Sequence, residues 1–158
     1  MTEAWLRDGY LLHPGFGLTP YRQQPLPFDE RELPPAWTAL DEAVQDVRLD
    51  ELWQLAVAWA GAQGADRVEG DFICSDWPVA ARAGLSQSPA SVHRWSGAFS
   101  PGGLGHLVDA NPERLWVKAD GELLLYLHET WDSLIVCGKE RAVEELGRDV
   151  GALRRSWG

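Results

Sequence analysis

The sequence predicts an α+β fold: a single domain with a small, mainly antiparallel sheet covered by about three helices. Three observations carry this. RLWVKA and ELLLYLHE, two apolar runs too short for helices, are joined by Asp120-Gly121, the strongest short hairpin signal. SLIVCG, residues 133–138, follows with the same two-sided apolar character. Stretches with helical apolar spacing stand before and after these strands. A chain of 158 residues is the length of one ordinary domain.

The elements follow in chain order. WLR and YLL, within residues 4–12, read as a small hairpin turning at Asp8-Gly9. Pro14, Pro20, Pro25, Pro27, Pro34 and Pro35 then make 13–35 a proline-rich irregular arm, because proline lacks the N–H that helix and sheet both use. Pro35 suits a first helical turn, and Trp37, Leu40, Val44 and Val47 predict an amphipathic helix over 36–47. A second helix is expected over 50–62, where Leu52, Leu55, Ala56 and Trp59 form one stripe and Trp53, Val57 and Ala60 another. Gly61 and Gly64 end it. RVEGDFICSD, 67–76, reads as a strand that joins the sheet. Residues 78–112 are rich in Ser, Gly and Pro and read mostly as loop, with one short helix at 89–96. A two-residue turn at Asp120-Gly121 sets Val117 opposite Leu124, Leu115 opposite Tyr126, Trp116 opposite Leu125 and Lys118 opposite Leu123. The chain closes with a helix over 139–155, striped by Val143, Leu146, Val150, Leu153 and Trp157, with Glu144 and Arg148 paired outside the stripe. Gly147 and Gly151 weaken this helix in isolation, and a close approach to the sheet would explain them.

Composition narrows the function. The chain has 14 Lys+Arg against 24 Asp+Glu, a net charge of −10. That field opposes nucleic acid and anionic membranes and favours a basic protein partner. The only tight basic pair is Arg154-Arg155. The nine tryptophans are spread from Trp5 to Trp157, so each is expected to fill core or shallow surface space rather than one aromatic box. Twelve arginines against two lysines fit a GC-rich coding sequence and a bacterial source. MTEAWLRDGYLLHPG has no basic region ahead of an apolar run, so no signal peptide is read there, and the run near Leu55–Ala62 is far shorter than a membrane span. A cytoplasmic protein is expected, with Cys74 and Cys137 reduced, buried and inert.

HETWD, between the two apolar strands, is the one dense group of chemical side chains. His128-Glu129 resembles the start of the zinc-protease pattern H-E-x-x-H, but Asp132 stands where the second histidine belongs and the flanks are strand-like. As the turn of a hairpin, Thr130-Trp131 would set His128 opposite Ser133 and Glu129 opposite Asp132. The result is a small acidic knob bearing Trp131. The four histidines lack ligand spacing and neither cysteine belongs to a C-x-x-C, so no metal or cofactor is expected. SPGGLGH, 100–106, lacks the lysine and hydroxyl of a phosphate loop, and PGFGL, 14–18, is weaker still; both read as loops.

AARAGLSQSPASVHRW, 80–95, resembles the helix-turn-helix of DNA readers in its A-x-x-A-G-L-S-x-S. It departs from that family at Pro89 and at Ala90, where an apolar anchor belongs, and Val92 and Trp95 fall out of register. As a type, a small, acidic, tryptophan-rich bacterial domain is similar to the immunity proteins that neutralise secreted toxins.

The leading expectation is therefore a non-catalytic, acidic protein-binding module of immunity or inhibitor type. Its contact candidates are Trp131, Glu129 and Asp132, with Tyr21 and Phe28 on the proline-rich arm. The alternatives are a small hydrolase-like enzyme using His128 with Glu129 or Asp132, and a degenerate DNA-binding regulator presenting Arg82 and Arg94 on one face. The oligomeric state is not encoded in any of these features.

Overall fold

The structure is a computed structural model and describes residues 8–22, 33–73, 92–103, 112–128 and 134–158. The elements, in order, are β1 (Asp8–His13), β2 (Gly17–Arg22), α1 (Pro35–Thr38), α2 (Glu42–Ala62), β3 (Arg67–Ile73), β4 (Val92–Ala98), β5 (Pro112–Ala119), β6 (Glu122–His128), β7 (Leu134–Val136) and α3 (Glu140–Ser156). The α+β class holds, and the strand pairs described below are all antiparallel. The chain forms two compact units, Met1–Trp59 with Trp131–Gly158, and Ala60–Thr130; the boundary falls inside α2.

In the first unit the strand order is β2-β1-β7. The first hairpin differs from the sequence expectation. Asp8-Gly9 lies in β1 rather than at a turn, and the chain reverses at Pro14–Phe16. The Phe16 N–H donates to the His13 carbonyl at 3.1 Å, with Pro14 in the second turn position that its fixed φ suits. Gly17 follows in the left-handed region at φ 76°, the conformation that closes a three-residue hairpin loop. Residues 13–35 are thus not uniformly irregular: β2 holds Pro20, in register with Tyr10. Proline is tolerated there because β2 is the outermost strand of the order.

The helices differ in one respect. The chain makes a single turn at Pro35–Thr38 and then one continuous helix, α2, through the 48–50 region where a break between two helices was expected. Asp41 caps it, its Oδ1 accepting the Val44 N–H at 3.0 Å. No Gly or Pro interrupts Asp41–Ala60, so propensity carries the helix across a change in its apolar stripe. Gly64, at φ 87°, terminates it, with Ala65 N–H reaching the Ala60 carbonyl at 3.0 Å. α3 follows the predicted stripe: Val143, Leu146 and Val150 are buried. Leu12, Leu52, Ala56, Trp59 and Leu134–Val136 are buried in the same unit. The Trp59 indole N–H, buried with its ring, donates to the Ala142 carbonyl at 2.8 Å.

In the second unit the order is β6-β5-β3-β4. Asp120 and Gly121 take φ 51° and 80°, the paired left-handed geometry of a tight hairpin turn. The predicted register holds for Lys118 opposite Leu123 and then slips. Val117 faces Leu125, Trp116 faces Tyr126 and Leu115 faces Leu127, with Leu124 as the extra residue of a bulge. β3 joins the sheet as expected, paired to β5. Val92–Ala98, assigned from sequence to a loop and a short helix, is instead strand β4, paired to β3 along its whole length. Val68, Leu115, Val117 and Leu125 are buried on one face of this sheet. The other face carries Glu69, Asp71, Arg94, Trp116 and Lys118. No described tryptophan is fully exposed, which fits core and shallow-surface filling.

Candidate functional site

Most of the side chains singled out from sequence do not form a described site. Glu129, Trp131 and Asp132 lie outside the described residues, as do Phe28, Arg82 and Cys74. Tyr21 is on β2 and only 6% exposed, so its ring offers a partner almost no surface. His128 ends a strand, not a helix, which removes the helical geometry that a zinc-protease pattern needs at that position. Arg94 and Trp95 lie in β4, where a DNA reader would need a recognition helix. Cys137 is half-buried, and that burial pushes its thiol up to about 11, away from the thiolate form. Among the described residues no three His, Cys, Asp or Glu side chains gather in metal-binding proximity. Among the described residues no helix is long and apolar enough to cross a membrane.

Arg94 belongs to a structural arrangement. Its guanidinium donates through Nε and Nη2 to the two oxygens of Asp71, the second at 3.1 Å, and lies 4.9 Å over the Trp116 ring. That hydrogen bonding to Asp71 holds the Arg94 pKa above its ordinary value. Lys118 Nζ donates to Glu69 at 2.8 Å on the same face. Charges that pair with each other across strands have a sufficient account in sheet stability.

Two grooves of the first unit lie along α3. One groove, of about 310 Å³, runs between α3 and the β1–β2 hairpin. Tyr10, Leu18 and Pro20 form one wall, Glu140 and Glu144 stand exposed on the other, and Gly147 and Val150 lie between. A second groove, of about 500 Å³, opens at the C-terminal end of α3, between Pro14, Pro34 and Trp37 on one side and Arg48, Arg154, Arg155 and Trp157 on the other. Gly151 and Arg154 line both.

The hairpin turn links the grooves. Arg154 reaches out of α3 and donates to the carbonyls of Gly15 at 3.1 Å and Phe16 at 3.4 Å. Beneath it His13 is fully buried, its ring 5.3 Å from both Phe16 and Trp37. Its Nδ1 accepts the Gly15 N–H at 2.8 Å, so that nitrogen carries no proton in the folded state. Burial first, and the Arg154 charge second, lower the His13 pKa to about 4. His13 is therefore a neutral structural acceptor at ordinary pH and not a general base for chemistry near 7. Sequence reasoning missed both grooves. Gly147, Gly151 and the Arg154-Arg155 pair were the visible signals, but the walls come from segments more than a hundred residues apart.

Compared with known proteins, the chain matches no family model, no curated protein and no solved structure.

Proposed function

We propose that the protein is a non-catalytic, acidic protein-binding module whose partner presents basic and apolar side chains, in the manner of an immunity-type or inhibitor protein. The observation that carries this is the smaller groove on α3, where the apolar wall of Tyr10, Leu18 and Pro20 faces Glu140 and Glu144. Its shape and charge suit the stem and head of a lysine or arginine, which bury methylenes while keeping the cation at a carboxylate. The N-terminal half of α2 supports the same reading. Val44 and Val47 are exposed there, Val47 at 57%, among Asp41, Glu42, Asp46 and Asp50. The net charge of −10 would speed encounter with a basic partner. Glu129, Trp131 and Asp132 remain contact candidates on sequence grounds, and a cytoplasmic, bacterial setting belongs to the same proposal.

The test is a backbone NMR titration with two amphipathic peptides, one alternating lysine and leucine and one alternating glutamate and leucine. The basic peptide is expected to shift Tyr10, Leu18 and Gly147 saturably. Glu140→Gln with Glu144→Gln should weaken it severalfold, and added salt should do the same. Equal binding of both peptides, or shifts that leave the groove untouched, would refute the reading.

A further inference from the structure

The larger groove has the opposite chemistry from the rest of the molecule. Three of the chain's 14 cationic side chains, Arg48, Arg154 and Arg155, line it, and among the described residues no aspartate or glutamate does. Among the described residues, none of the three pairs with a carboxylate. Two of them are held in place by neutral groups. Arg48 lies 5.0 Å over the Trp157 ring and donates to the Trp157 carbonyl at 3.4 Å. Arg154 is fixed by the Gly15 and Phe16 carbonyls. Carbonyls and aromatic faces orient a guanidinium without neutralising it, so its full charge stays directed and part of the ordering cost of binding has been met beforehand. The Trp157 ring is in turn held by its indole N–H, which donates to Glu51 Oε2 at 3.0 Å.

Cations in the last turn of a helix have an ordinary role, offsetting the negative end of the dipole. That covers Arg154 and Arg155. It does not cover Arg48, which comes from α2, nor the convergence of all three on an apolar-walled hollow of about 500 Å³. The half charge of the helix end is small against three guanidinium groups. The volume lies within the 300–1,000 Å³ range of small-molecule sites. Pro14, Pro34, Trp37 and Trp157 give it walls suited to a flat apolar body.

We propose that this groove binds a small phosphate monoester with a flat, aromatic body, the phosphate held by Arg48, Arg154 and Arg155 and the ring against Trp157 and the prolines. A phosphate monoester near neutral pH carries about −1.5 to −2 charges and three acceptor oxygens. It thus matches several guanidinium forks better than a single carboxylate does. The proposal does not rest on the protein-binding reading, although Gly151 and Arg154 line both grooves, and its test uses no protein partner.

The probes are naphthyl phosphate, naphthol and inorganic phosphate, titrated into the full chain at low salt with tryptophan fluorescence and calorimetry as readouts. Naphthyl phosphate is expected to bind saturably below millimolar concentration, at least tenfold tighter than either of the other two. Arg155→Gln, which removes no described hydrogen bond, and Arg48→Gln should each weaken it at least threefold, with unchanged far-UV circular dichroism. Binding of naphthol as tight as that of naphthyl phosphate would overturn the proposal, because the arginines would then be irrelevant. Equal binding of inorganic phosphate would overturn it too, leaving an unspecific anion patch. So would the absence of saturable binding, or affinity unchanged in both variants.

Discussion

Acidification should destabilise this protein through one residue, His13, in a window set by its burial. The unfolded chain titrates near 6.5, while in the folded protein burial and the Arg154 charge lower the value to about 4. The unfolded chain therefore takes up the proton first as pH falls. The contribution to stability is complete above 6.5, declines between 6.5 and 4, and is gone below 4. At 1.36 kcal/mol per pH unit the whole window is worth about 3 kcal/mol, of which about 2 kcal/mol is lost by pH 5. Protonation also removes the acceptor for the Gly15 N–H and sets a cation beside Arg154, so the β1–β2 turn is where the loss acts. The reference is His13→Gln, which keeps an amide acceptor and does not titrate. Urea unfolding followed by tryptophan fluorescence at pH 7.5 and pH 5 gives two free energies for each protein. Carboxylates contribute equally to both proteins, so the difference between the two pH dependences isolates His13. An excess loss of about 2 kcal/mol in the unmodified protein is expected. The same loss in His13→Gln would show that His13 is already charged in the fold or sits in water, and the burial argument would fail.

Two substitutions probe the other constraints. Arg94→Ala leaves the Asp71 side chain, 13% exposed, without its bidentate partner and uncovers the Trp116 ring. Because Arg94 is itself 56% exposed, the expected cost is about 1–2 kcal/mol, between the surface and buried ion-pair values, measured by urea unfolding; a cost below 0.3 kcal/mol would mean that Asp71 is rehydrated freely. Gly17→Ala imposes a side chain at φ 76° and sets its Cβ 2.9 Å from Arg154 Nη1. A loss of about 1–2 kcal/mol, seen as a fall of roughly 2–8 °C in Tm, is expected, and an unchanged Tm would contradict the turn geometry.

The parts of the fold legible in the sequence are those specified locally. Asp120-Gly121 dictates its turn through two left-handed residues, and the α3 stripe of Val143, Leu146 and Val150 is a strong period. The hairpin register was legible only for its first two pairs. Leu123–Leu127 is apolar on both faces, so alternation cannot fix which side chain points where, and packing placed Leu124 in a bulge. The β1–β2 hairpin was hidden by its prolines. Pro14 works as a turn residue and Pro20 is tolerated on an outer strand, yet both read as breakers in one dimension. β4 was hidden because VHRWSGA has too few apolar residues to announce a strand, and pairing to β3 decides its state. The grooves were illegible for a different reason. Their walls come from residues 10–20, 34–48 and 140–158, and only tertiary packing brings these together.

Gly147 and Gly151 connect helix stability to the grooves. Each costs α3 roughly 0.5–1 kcal/mol relative to alanine. A close approach to the hairpin does not demand them. A Cβ at 147 would meet Leu18 Cδ2 at 3.6 Å and one at 151 would meet Arg155 Nη1 at 3.5 Å, both ordinary contact distances. What an added methyl would do at either position is fill groove, since Gly147 lines the smaller one and Gly151 lines both. If the glycines served packing alone, Gly147→Ala and Gly151→Ala would destabilise. If they keep the floor open, each substitution raises stability by about 0.5–1 kcal/mol and weakens binding in its groove. Gly147→Ala should then reduce lysine-leucine peptide binding and spare naphthyl phosphate, while Gly151→Ala should reduce both. A more stable variant that binds less well is not produced by a damaged fold. A destabilised variant, or one with full binding in both titrations, would show that the two glycines have nothing to do with the grooves.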